Sequence, residues 1–372
     1  MKLTLQLRLL PSPEQTTALR DVMAACNAAA THAATMAFKT GVFSQPSVHR
    51  LCYRELRSQF SLSAQLAVRA IGKAVEVFRR DKTRAPIFRS DGAITYDERC
   101  FSFKGPAAAS ILTRSGRVIV PMIYGEYQRQ RFDRIKGQVD LVLRDGTFYL
   151  YATIDMPEGA PIEPTEFLGV DLGVVNLATT SDGTQFGGGA VEAVRQKHMR
   201  TRRSLGRKMG ANHKRRTRKN ARRAMKRIGN REQRFRRHEN HCISKSLVKT
   251  AEDTGRGIAL EDLKGIRNRT RFRREQRAEM GGWAFSQLRT FVEYKAKLAG
   301  VTVVAIDPRN TSRTCSECGH CEKANRKSQS EFECQSCGHR ANADLNAARN
   351  IAARGATVMQ PEVSQRPQTI AA

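Results

Sequence analysis

The sequence predicts a multidomain α+β protein, with a small β-barrel interrupted by helices first and an α/β domain with a metal-binding insert after it. Three observations support this prediction. Strand-like and helix-like periods alternate along a chain of 372 residues, which is long enough for two or three domains. Three of the twelve prolines fall within 157–166, which indicates a linker. Five of the nine cysteines lie within 315–337.

The N-terminal elements are a strand and then helices. Leucines alternate with polar residues in KLTLQLRL, which predicts a strand over 2–9. Ser12-Pro13-Glu14-Gln15 is typical of a helix N-terminus, with Ser12 as the N-cap and Gln15 reaching back to it. An alanine-rich helix is expected to run to about Gly41, and two more are expected near 48–58 and 63–80.

The pattern changes to strands after Pro86. We expect strands around 93–103, 117–122, 138–144 and 147–155. Asp145-Gly146 separates the last two and is typical of a hairpin turn. The sequence therefore predicts helices inserted between the strands of one barrel.

The region after the linker alternates strands and helices. Two or three short strands within 167–187 precede a long basic helical stretch over 190–253. We then expect a buried strand (GIALE), a helix over 284–299, a strand (VTVVAID) and a last helix near 343–353. Three strands followed by helix, strand, helix, strand and helix is the order of an RNase H-like domain.

The charge balance points to a polyanionic partner. Lys and Arg number 65 against 35 Asp and Glu, which gives a net charge of +30. Such a field favours nucleic acid or, less often, an anionic membrane surface. No apolar run is long enough for a membrane-spanning helix, and the N-terminal strand pattern differs from a signal peptide. We therefore expect a cytosolic protein, associated with the nucleoid in a prokaryote.

The clustered cysteines have the spacing of a zinc ribbon. Cys315-x2-Cys318 and Cys334-x2-Cys337 are separated by fifteen residues, which matches a tetrahedral four-cysteine zinc site. A glycine follows each second cysteine and permits the positive φ that a knuckle needs. Cys321 does not fit this spacing. Because the intervening residues are too polar to form a core of free thiols, we predict a closed, structural zinc site.

Three carboxylates stand where an RNase H-like fold presents catalytic groups. Asp171 lies inside the apolar first strand, Glu261 ends GIALE, and Asp344 opens the last helix. A carboxylate inside an apolar strand is costly unless it is paired or metal-bound. Two-metal phosphodiester cleavage requires carboxylates that converge on two Mg²⁺ ions. The three residues are therefore candidate catalytic and magnesium-binding groups.

Each carboxylate also has a structural interpretation. In that alternative, Asp171 starts a turn, Glu261 and its neighbour Asp262 begin another, and Asp344 is a helix N-cap. Asp307 at the end of VTVVAID competes as a fourth carboxylate, although Asp307-Pro308 favours a turn out of the strand. The order of the three, one for each expected element, favours the catalytic interpretation.

Four stretches resemble the TnpB family of transposon-encoded, RNA-guided DNA endonucleases, which are related to type V CRISPR effectors. They are GVDLGVVNLATTSDG, IALEDLKGI, FSQLRTFVEYKAKLAGVTVVAIDPRNTSRTCSECG and CQSCGHRANADLNAARNIAARG. The resemblance is close over about 167–355. It is looser before the linker, where LRLLPSPEQ and the region from RAPIF to YDERCFSF carry it.

The resemblance implies a domain order. A wedge-like barrel would span 1–10 and 85–156, and a helical recognition lobe 11–84. After the linker, a RuvC-like nuclease would span 167–311 and 341–356, with the zinc ribbon over 312–340 inserted in it. The polar residues 357–372 are expected to be a disordered tail.

The resemblance also implies a catalytic triad and partners. The triad would be Asp171, Glu261 and Asp344. The partner would be a guide RNA transcribed from the transposon end, and the target double-stranded DNA beside a short transposon-adjacent motif. One departure is Asn342, where many relatives carry Asp.

A basic segment carries most of the excess charge. Residues 195–240 contain 20 Lys or Arg and two Glu, a net of +18, and 264–277 add seven basic residues and one acidic residue. Interleaved apolar residues favour two helices packed on the nuclease core, rather than a solvated run, with basic side chains directed to phosphates. The candidate phosphate contacts are Arg202, Arg203, Arg207, Lys208, Lys214, Arg215, Arg216, Arg218, Lys219, Arg222 and Arg223.

Three functions are compared. The leading hypothesis is an RNA-guided DNA endonuclease that cuts double-stranded DNA complementary to its guide by two-metal hydrolysis. A nuclease-inactive, RNA-guided DNA-binding regulator is disfavoured because all three carboxylates are present. An unguided, structure-specific resolvase or transposase leaves the long helical insert in the N-terminal half without a role.

Overall fold

The computed structural model of the chain describes residues 1–210, 212–263 and 285–359. The chain divides into two compact units, Met1–Pro157 and Glu158–Ala372. The predicted basic segment 264–277 and most of the tail 357–372 lie outside the described residues.

The first unit contains a barrel-like sheet of seven antiparallel strands in the order β2-β6-β7-β1-β5-β4-β3. Leu5, Leu7 and Leu9 of the first strand are fully buried, as the alternating pattern predicts. The two ends of the sheet approach each other, since the Tyr96 hydroxyl donates to the Leu112 carbonyl at 2.9 Å. The strands are β1 (Lys2–Leu9), β2 (Ile94–Tyr96), β3 (Phe101–Lys104), β4 (Ala108–Thr113), β5 (Gly116–Ile123), β6 (Ile135–Arg144) and β7 (Thr147–Asp155).

Two details of this sheet differ from the sequence-based prediction. The single strand expected over 93–103 is two short strands, β2 and β3, and strand β4 was not predicted at all. Its sequence AASILT begins with two alanines, which have low strand propensity, so the local pattern was weak. The hairpin at Asp145-Gly146 is confirmed, and both residues have positive φ.

Three helices lie between β1 and β2, as predicted. They are α1 (Pro13–Thr40), α2 (Gln45–Gln59) and α3 (Ala64–Phe78). The capping box of α1 is confirmed, because Gln15 N donates to Ser12 Oγ at 3.2 Å and Ser12 N donates to Gln15 Oε1 at 3.1 Å. A short helix α4 (Glu126–Arg129) and a 3₁₀ turn (Phe132–Arg134) connect β5 to β6.

The second unit is built on a five-stranded mixed sheet in the order β10-β9-β8-β11-β12. The first three strands pair antiparallel, whereas β11 runs parallel to both β8 and β12. The carboxyl ends of β8, β11 and β12 therefore meet at one edge of the sheet. The strands are β8 (Phe167–Asp171), β9 (Asn176–Thr180), β10 (Gln185–Gly187), β11 (Gly257–Glu261) and β12 (Val303–Ile306).

Helices cover both faces of this sheet. On one face, Leu247 of α7 and Leu288 and Val292 of α8 pack in a core with Leu168 and Val170 of β8. On the other face α9 lies so close to β8 that a Cβ atom on Gly169 would be 2.0 Å from the Ala348 carbonyl oxygen. The helices are α5 (Gly189–Lys208), α6 (Arg215–Ile228), α7 (Arg231–Asp253), α8 (Phe285–Ala299) and α9 (Ala343–Met359). The predicted order of strands and helices in this unit is thus confirmed.

A small two-stranded segment stands between β12 and α9. Its strands β13 (Glu331–Glu333) and β14 (Arg340–Asn342) pair antiparallel, and a 3₁₀ turn (Lys323–Asn325) precedes them. Among the helices in the described ranges, none combines the length and apolar character needed to cross a membrane.

Candidate active site

Two of the predicted carboxylates end neighbouring parallel strands. Val170 of β8 lies opposite Leu260 of β11, so Asp171 and Glu261 follow side by side at the carboxyl edge of the sheet. Both strands are buried because helices cover both sheet faces, and Glu261 retains 8% of its exposure. The parallel pairing, which no local pattern reveals, brings together residues ninety positions apart.

The third carboxylate comes from the first turn of α9. Asn342 caps this helix, since its Oδ1 accepts from Asp344 N at 3.0 Å and from Leu345 N at 3.2 Å. The alternative interpretation of Asp344 as the N-cap is therefore wrong. Capping by Asn342 leaves the Asp344 carboxylate free to face the sheet edge, where it is 8% exposed.

The charges of the three carboxylates interact. Burial, together with the neighbouring carboxylates of Glu261 and Asp344, raises the pKa of Asp171 to about 7. Burial also raises the pKa of Glu261, while a hydrogen bond from Thr311 opposes that change. Glu261 and Asp344 are therefore close enough to Asp171 to affect its ionisation.

Polar neighbours orient two of these carboxylates. Asn176 Nδ2 donates to Asp344 Oδ2 at 2.9 Å, and Thr311 Oγ1 donates to Glu261 Oε1 at 2.6 Å. Arg326 Nη2 lies 3.8 Å from Asp344 Oδ1. None of these three neighbours was predicted from the sequence. Asn176 stands only five residues after Asp171, but Thr311 and Arg326 are in loops whose sequence carries no signal of their partners.

Asp307, the competing fourth carboxylate, has a different environment. It is exposed, and its Oδ1 accepts a hydrogen bond from Arg309 N at 3.0 Å in the turn that follows β12. It lies close enough to contribute to the raised pKa of Glu261. The turn interpretation of Asp307-Pro308 agrees with this geometry.

The carboxylate cluster is suited to divalent cations. Oxygen ligands are those that Mg²⁺ prefers, and buried like charges are stabilised by a cation between them. Within the described residues, the carboxylate oxygens are not as closely gathered as the four sulfurs of the cysteine cluster.

The four predicted cysteines form one cluster. Their sulfur atoms all lie within 4.8 Å of one another. The Sγ atoms of Cys315 and Cys337 are 3.8 Å apart, and those of Cys318 and Cys334 are 3.6 Å apart. A tetrahedron with Zn–S bonds of about 2.3 Å has edges of roughly 3.8 Å, so the arrangement fits a zinc ion.

The two knuckles have the same backbone geometry. Gly319 N donates to Cys315 O at 3.0 Å, and Gly338 N donates to Cys334 O at 3.1 Å. Both glycines have φ of +74°, which confirms the conformation predicted for them. Cys321 pairs with Thr314 in an isolated bridge and is not part of the cluster.

The basic segment is three helices, not the two expected. Helix α6 buries only Ala221 and packs beside α5, whereas the second half of α7 enters the core of the sheet. Of the eleven candidate phosphate contacts, Arg218 is half-buried, and Arg202 is half-buried and paired with Glu232. The other nine are exposed on α5, on α6 or in the loop between them.

Two sequence-family models match this chain. Residues 152–267 match a family described as a probable transposase, OrfB_IS605, and residues 285–351 match a Cas12f1-like TNB domain. The first match covers Asp171 and Glu261. The second covers Asp344 and all four cysteines of the cluster.

Three curated relatives have informative names. A putative RNA-guided DNA endonuclease InsQ of Escherichia coli is 29% identical over 82% of this chain and 77% of its own length. A CRISPR-associated endodeoxyribonuclease Cas12f1 of Sulfoacidibacillus thermotolerans is 32% identical over 65% of this chain. A TnpB-like protein of Methanocaldococcus jannaschii is 35% identical over 30% of this chain. The chain spans only 57% of the Cas12f1 relative and 40% of the TnpB-like relative.

Proposed function

This chain belongs to the TnpB family, and we propose that it is an RNA-guided DNA endonuclease. It would cut double-stranded DNA that is complementary to a bound, transposon-derived guide RNA. The observation that carries the proposal is the meeting of Asp171, Glu261 and Asp344 from β8, β11 and α9 at one edge of the sheet. We assign these three residues as the triad of a RuvC-like nuclease site.

Asp171, Glu261 and Asp344 would hold two Mg²⁺ ions. When bound, such ions activate a water molecule and stabilise the leaving 3′ oxygen of the phosphodiester. Asn176 orients Asp344 through its 2.9 Å hydrogen bond. Burial raises the pKa values of Asp171 and Glu261, and the positive charge of Arg326 opposes that rise, so it favours the ionised forms that bind cations.

The basic helices α5, α6 and α7 supply the contacts to nucleic acid. Their exposed arginines and lysines suit phosphate oxygens, which position a duplex without reading its bases. Sequence would be read by pairing between guide RNA and target strand. In this proposal the barrel (1–10 and 85–156) and the helices within 11–84 form the wedge and recognition parts of the complex.

The zinc cluster has a structural role in this proposal. All four positions of a tetrahedral ion would be filled by cysteine sulfur, which leaves no place for a reacting water. The ribbon is inserted directly before α9, the helix that carries Asp344. Zinc binding would therefore support the position of the third carboxylate.

The test begins with protein purified together with its RNA. Sequencing of that RNA supplies a matching duplex target, and cleavage is followed in Mg²⁺ with EDTA as the metal-free control. We expect cleavage only of the duplex that pairs with the RNA, and only with Mg²⁺. The Asp344→Ala variant should lose cleavage by orders of magnitude but keep the RNA, whereas Asp307→Ala should retain cleavage.

Other outcomes would select another function. Binding of RNA and matching DNA without any cleavage would establish the nuclease-inactive regulator. Cleavage of branched DNA in the absence of RNA would establish the resolvase. If Asp344→Ala cleaves normally and Asp307→Ala is inactive, the nuclease proposal would stand, but Asp307 would be the third carboxylate in place of Asp344.

A further inference from the structure

Thr311 is a buried polar residue in the loop between β12 and the first zinc knuckle. It is 2% exposed, and its hydroxyl lies 2.6 Å from Glu261 Oε1 and 3.0 Å from the Pro308 carbonyl oxygen. A threonine hydroxyl has one hydrogen to donate, and the shorter distance to an ionisable acceptor assigns that hydrogen to Glu261. Among the described residues, Thr311 is the one side chain that donates a hydrogen bond to this carboxylate.

The loop that carries Thr311 is fastened to α9. Asn350 Nδ2 donates to Thr311 O at 2.9 Å and to Thr314 O at 2.7 Å. Asn350 is 8% exposed and lies on the same helix as Asp344. One buried side-chain amide thus holds two backbone carbonyls of the loop, and these bonds fix the position of the Thr311 backbone beside the edge of the sheet.

The same helix also holds the first cysteine knuckle. Asn346 Nδ2 donates to Thr314 O at 2.8 Å, and Asn346 Oδ1 accepts from Ser316 N at 2.9 Å. These bonds clamp the backbone on both sides of Cys315. A continuous set of hydrogen bonds therefore joins the cysteine cluster, helix α9 and the carboxylate of Glu261.

We propose that Thr311 is a positioning residue for the cleavage reaction. Its hydroxyl holds one oxygen of Glu261 and so presents the other oxygen to the divalent cation at the sheet edge. Asn350 places Thr311 from the helix that also carries Asp344, so two of the three carboxylates keep a constant relative position. The inference rests on the proposed nuclease function, since it assigns the cation site to the same three carboxylates.

This role follows from the geometry of a carboxylate at a strand end. The Glu261 side chain has three rotatable bonds, and without a partner its head group is free to rotate about the last of them. A hydrogen bond from a residue that is itself held at its backbone removes that freedom before the cation arrives. Hydrogen-bond partners of metal ligands typically change metal affinity or activity by about 10–100-fold when they are removed.

The experiment compares four variants of the full chain. Thr311→Val keeps the shape but removes the hydroxyl, Thr311→Ser keeps the hydroxyl, and Thr311→Ala removes it without placing a methyl group against the carboxylate. Thr314→Val is the matched control, because the Thr314 hydroxyl donates only to the carbonyl of Asn310, four residues earlier in the same loop. Binding of Mn²⁺ is measured from the EPR signal of the free ion, beside zinc content, RNA binding and single-turnover cleavage.

We expect the Mn²⁺ affinity and the single-turnover cleavage rate of Thr311→Val and Thr311→Ala to fall by about 10–100-fold. Their zinc content and RNA binding should be unchanged. Thr311→Ser should recover most of both losses, and Thr314→Val should match the wild type. Thr311→Val and Thr311→Ala variants that bind Mn²⁺ like the wild type would overturn the inference. Loss of zinc in Thr311→Ala would overturn it too, because the residue would then serve the fold.

The Mn²⁺ measurement separates this inference from the proposed function. A wild type that binds Mn²⁺ through Asp171, shown by loss in Asp171→Ala, but never cuts DNA would end the nuclease proposal. In that case the Mn²⁺ affinities of the Thr311 variants still decide whether Thr311 positions Glu261. A wild type without any Mn²⁺ binding would overturn both.

Discussion

Arg326 Nη2 lies 3.8 Å from Asp344 Oδ1, so an arginine from the segment between the two cysteine pairs lies beside a carboxylate of the candidate active site. Burial raises the pKa of Asp171 and of Glu261, and the Arg326 guanidinium opposes that rise. The segment that contains the four-cysteine cluster thus contributes a positive charge beside three acidic groups. The cysteine-containing segment thus affects the charge of the candidate site, in addition to its place directly before the helix that carries Asp344.

Replacement of Arg326 by Ala should shift cation binding to higher pH. Without the positive neighbour, the ionised carboxylates are less favoured, so the pKa of Asp171 rises above about 7. The pH at half-maximal Mn²⁺ binding, measured by EPR, should therefore increase. The control is Arg349→Ala, which removes an arginine of α9 that pairs with Glu317 at 3.6 Å. An equal shift in both variants would exclude a specific role for Arg326.

Each chain should contain one zinc ion. The Cys315→Ser and Cys334→Ser variants should lose it and should melt at a lower temperature, because a short segment of this kind depends on metal for its fold. Cleavage should fall as a consequence. Elemental analysis and thermal melting measure the effect, and Cys321→Ser, outside the cluster, should keep zinc. Absence of zinc from folded wild-type protein prepared with zinc present would refute the assignment.

The exposed basic residues of α6 should make nucleic-acid affinity depend steeply on salt. On duplex DNA, log K falls with log salt by roughly 0.9 for each phosphate contact. A variant with four substitutions to Gln on α6 should have a shallower slope, by the equivalent of about three phosphate contacts. The four residues are Arg215, Arg216, Arg218 and Lys219, of which Arg218 is half-buried and the other three are exposed. The measurement is a fluorescence anisotropy titration at several salt concentrations.

The control changes two lysines that already have acidic partners. Lys249 lies 2.9 Å from Asp253, and Lys297 lies 3.0 Å from Glu158. A Lys249→Gln/Lys297→Gln variant should keep the slope of the wild type. An unaltered slope in the α6 variant would identify its basic residues as a solvated surface.

The Asp171→Asn variant should be more stable than the wild type above neutral pH when divalent metal is absent. The folded pKa of Asp171 is about 7 against a reference value of 3.8, so the folded chain holds this proton more tightly than the unfolded chain. Stability therefore falls as pH rises between these values, by up to about 1.4 kcal/mol per pH unit, and stays low above them. The asparagine variant lacks this loss.

The measurement is urea denaturation in EDTA at a series of pH values from about 4 to about 8, a range that covers the reference pKa and the folded pKa of Asp171. Asp182→Asn is the control of opposite sign, because the hydrogen bond from Arg256 lowers the pKa of Asp182. That carboxylate stabilises the fold above its reference pKa, so its removal should cost stability at neutral pH. If the free energy of unfolding of the Asp171→Asn variant does not exceed that of the wild type at high pH, the Asp171 charge is not buried as described.

Local patterns predicted much of the fold. The strand over 2–9, the capping box of Ser12 and Gln15, and the hairpin at Asp145-Gly146 were all predicted, since each depends on residues within a few positions. Patterns failed where the local signal was weak. The alanines at the start of β4 concealed a strand, and the continuous basic composition of 190–253 concealed the boundaries between α5, α6 and α7.

The candidate site divides in the same way. Each of the three carboxylates was predictable because a charged residue beside an apolar strand, or at the start of a helix, stands out in the sequence. Their neighbours were not predictable. Asn176, the first residue of β9, bonds to a residue 168 positions away, and Thr311, in a loop, bonds to one 50 positions away, and nothing in the neighbouring sequence marks either residue.

The sequence by itself determined the net charge and predicted the four-cysteine cluster, because residue composition and cysteine spacing do not depend on how the chain folds. It also determined which carboxylates are candidates. Only the tertiary structure decided how these carboxylates are placed relative to one another. Parallel pairing of β8 with β11 set Asp171 beside Glu261, and Asn342, not Asp344, capped α9. These relationships depend on long-range pairing and packing, which act between segments that share no local pattern.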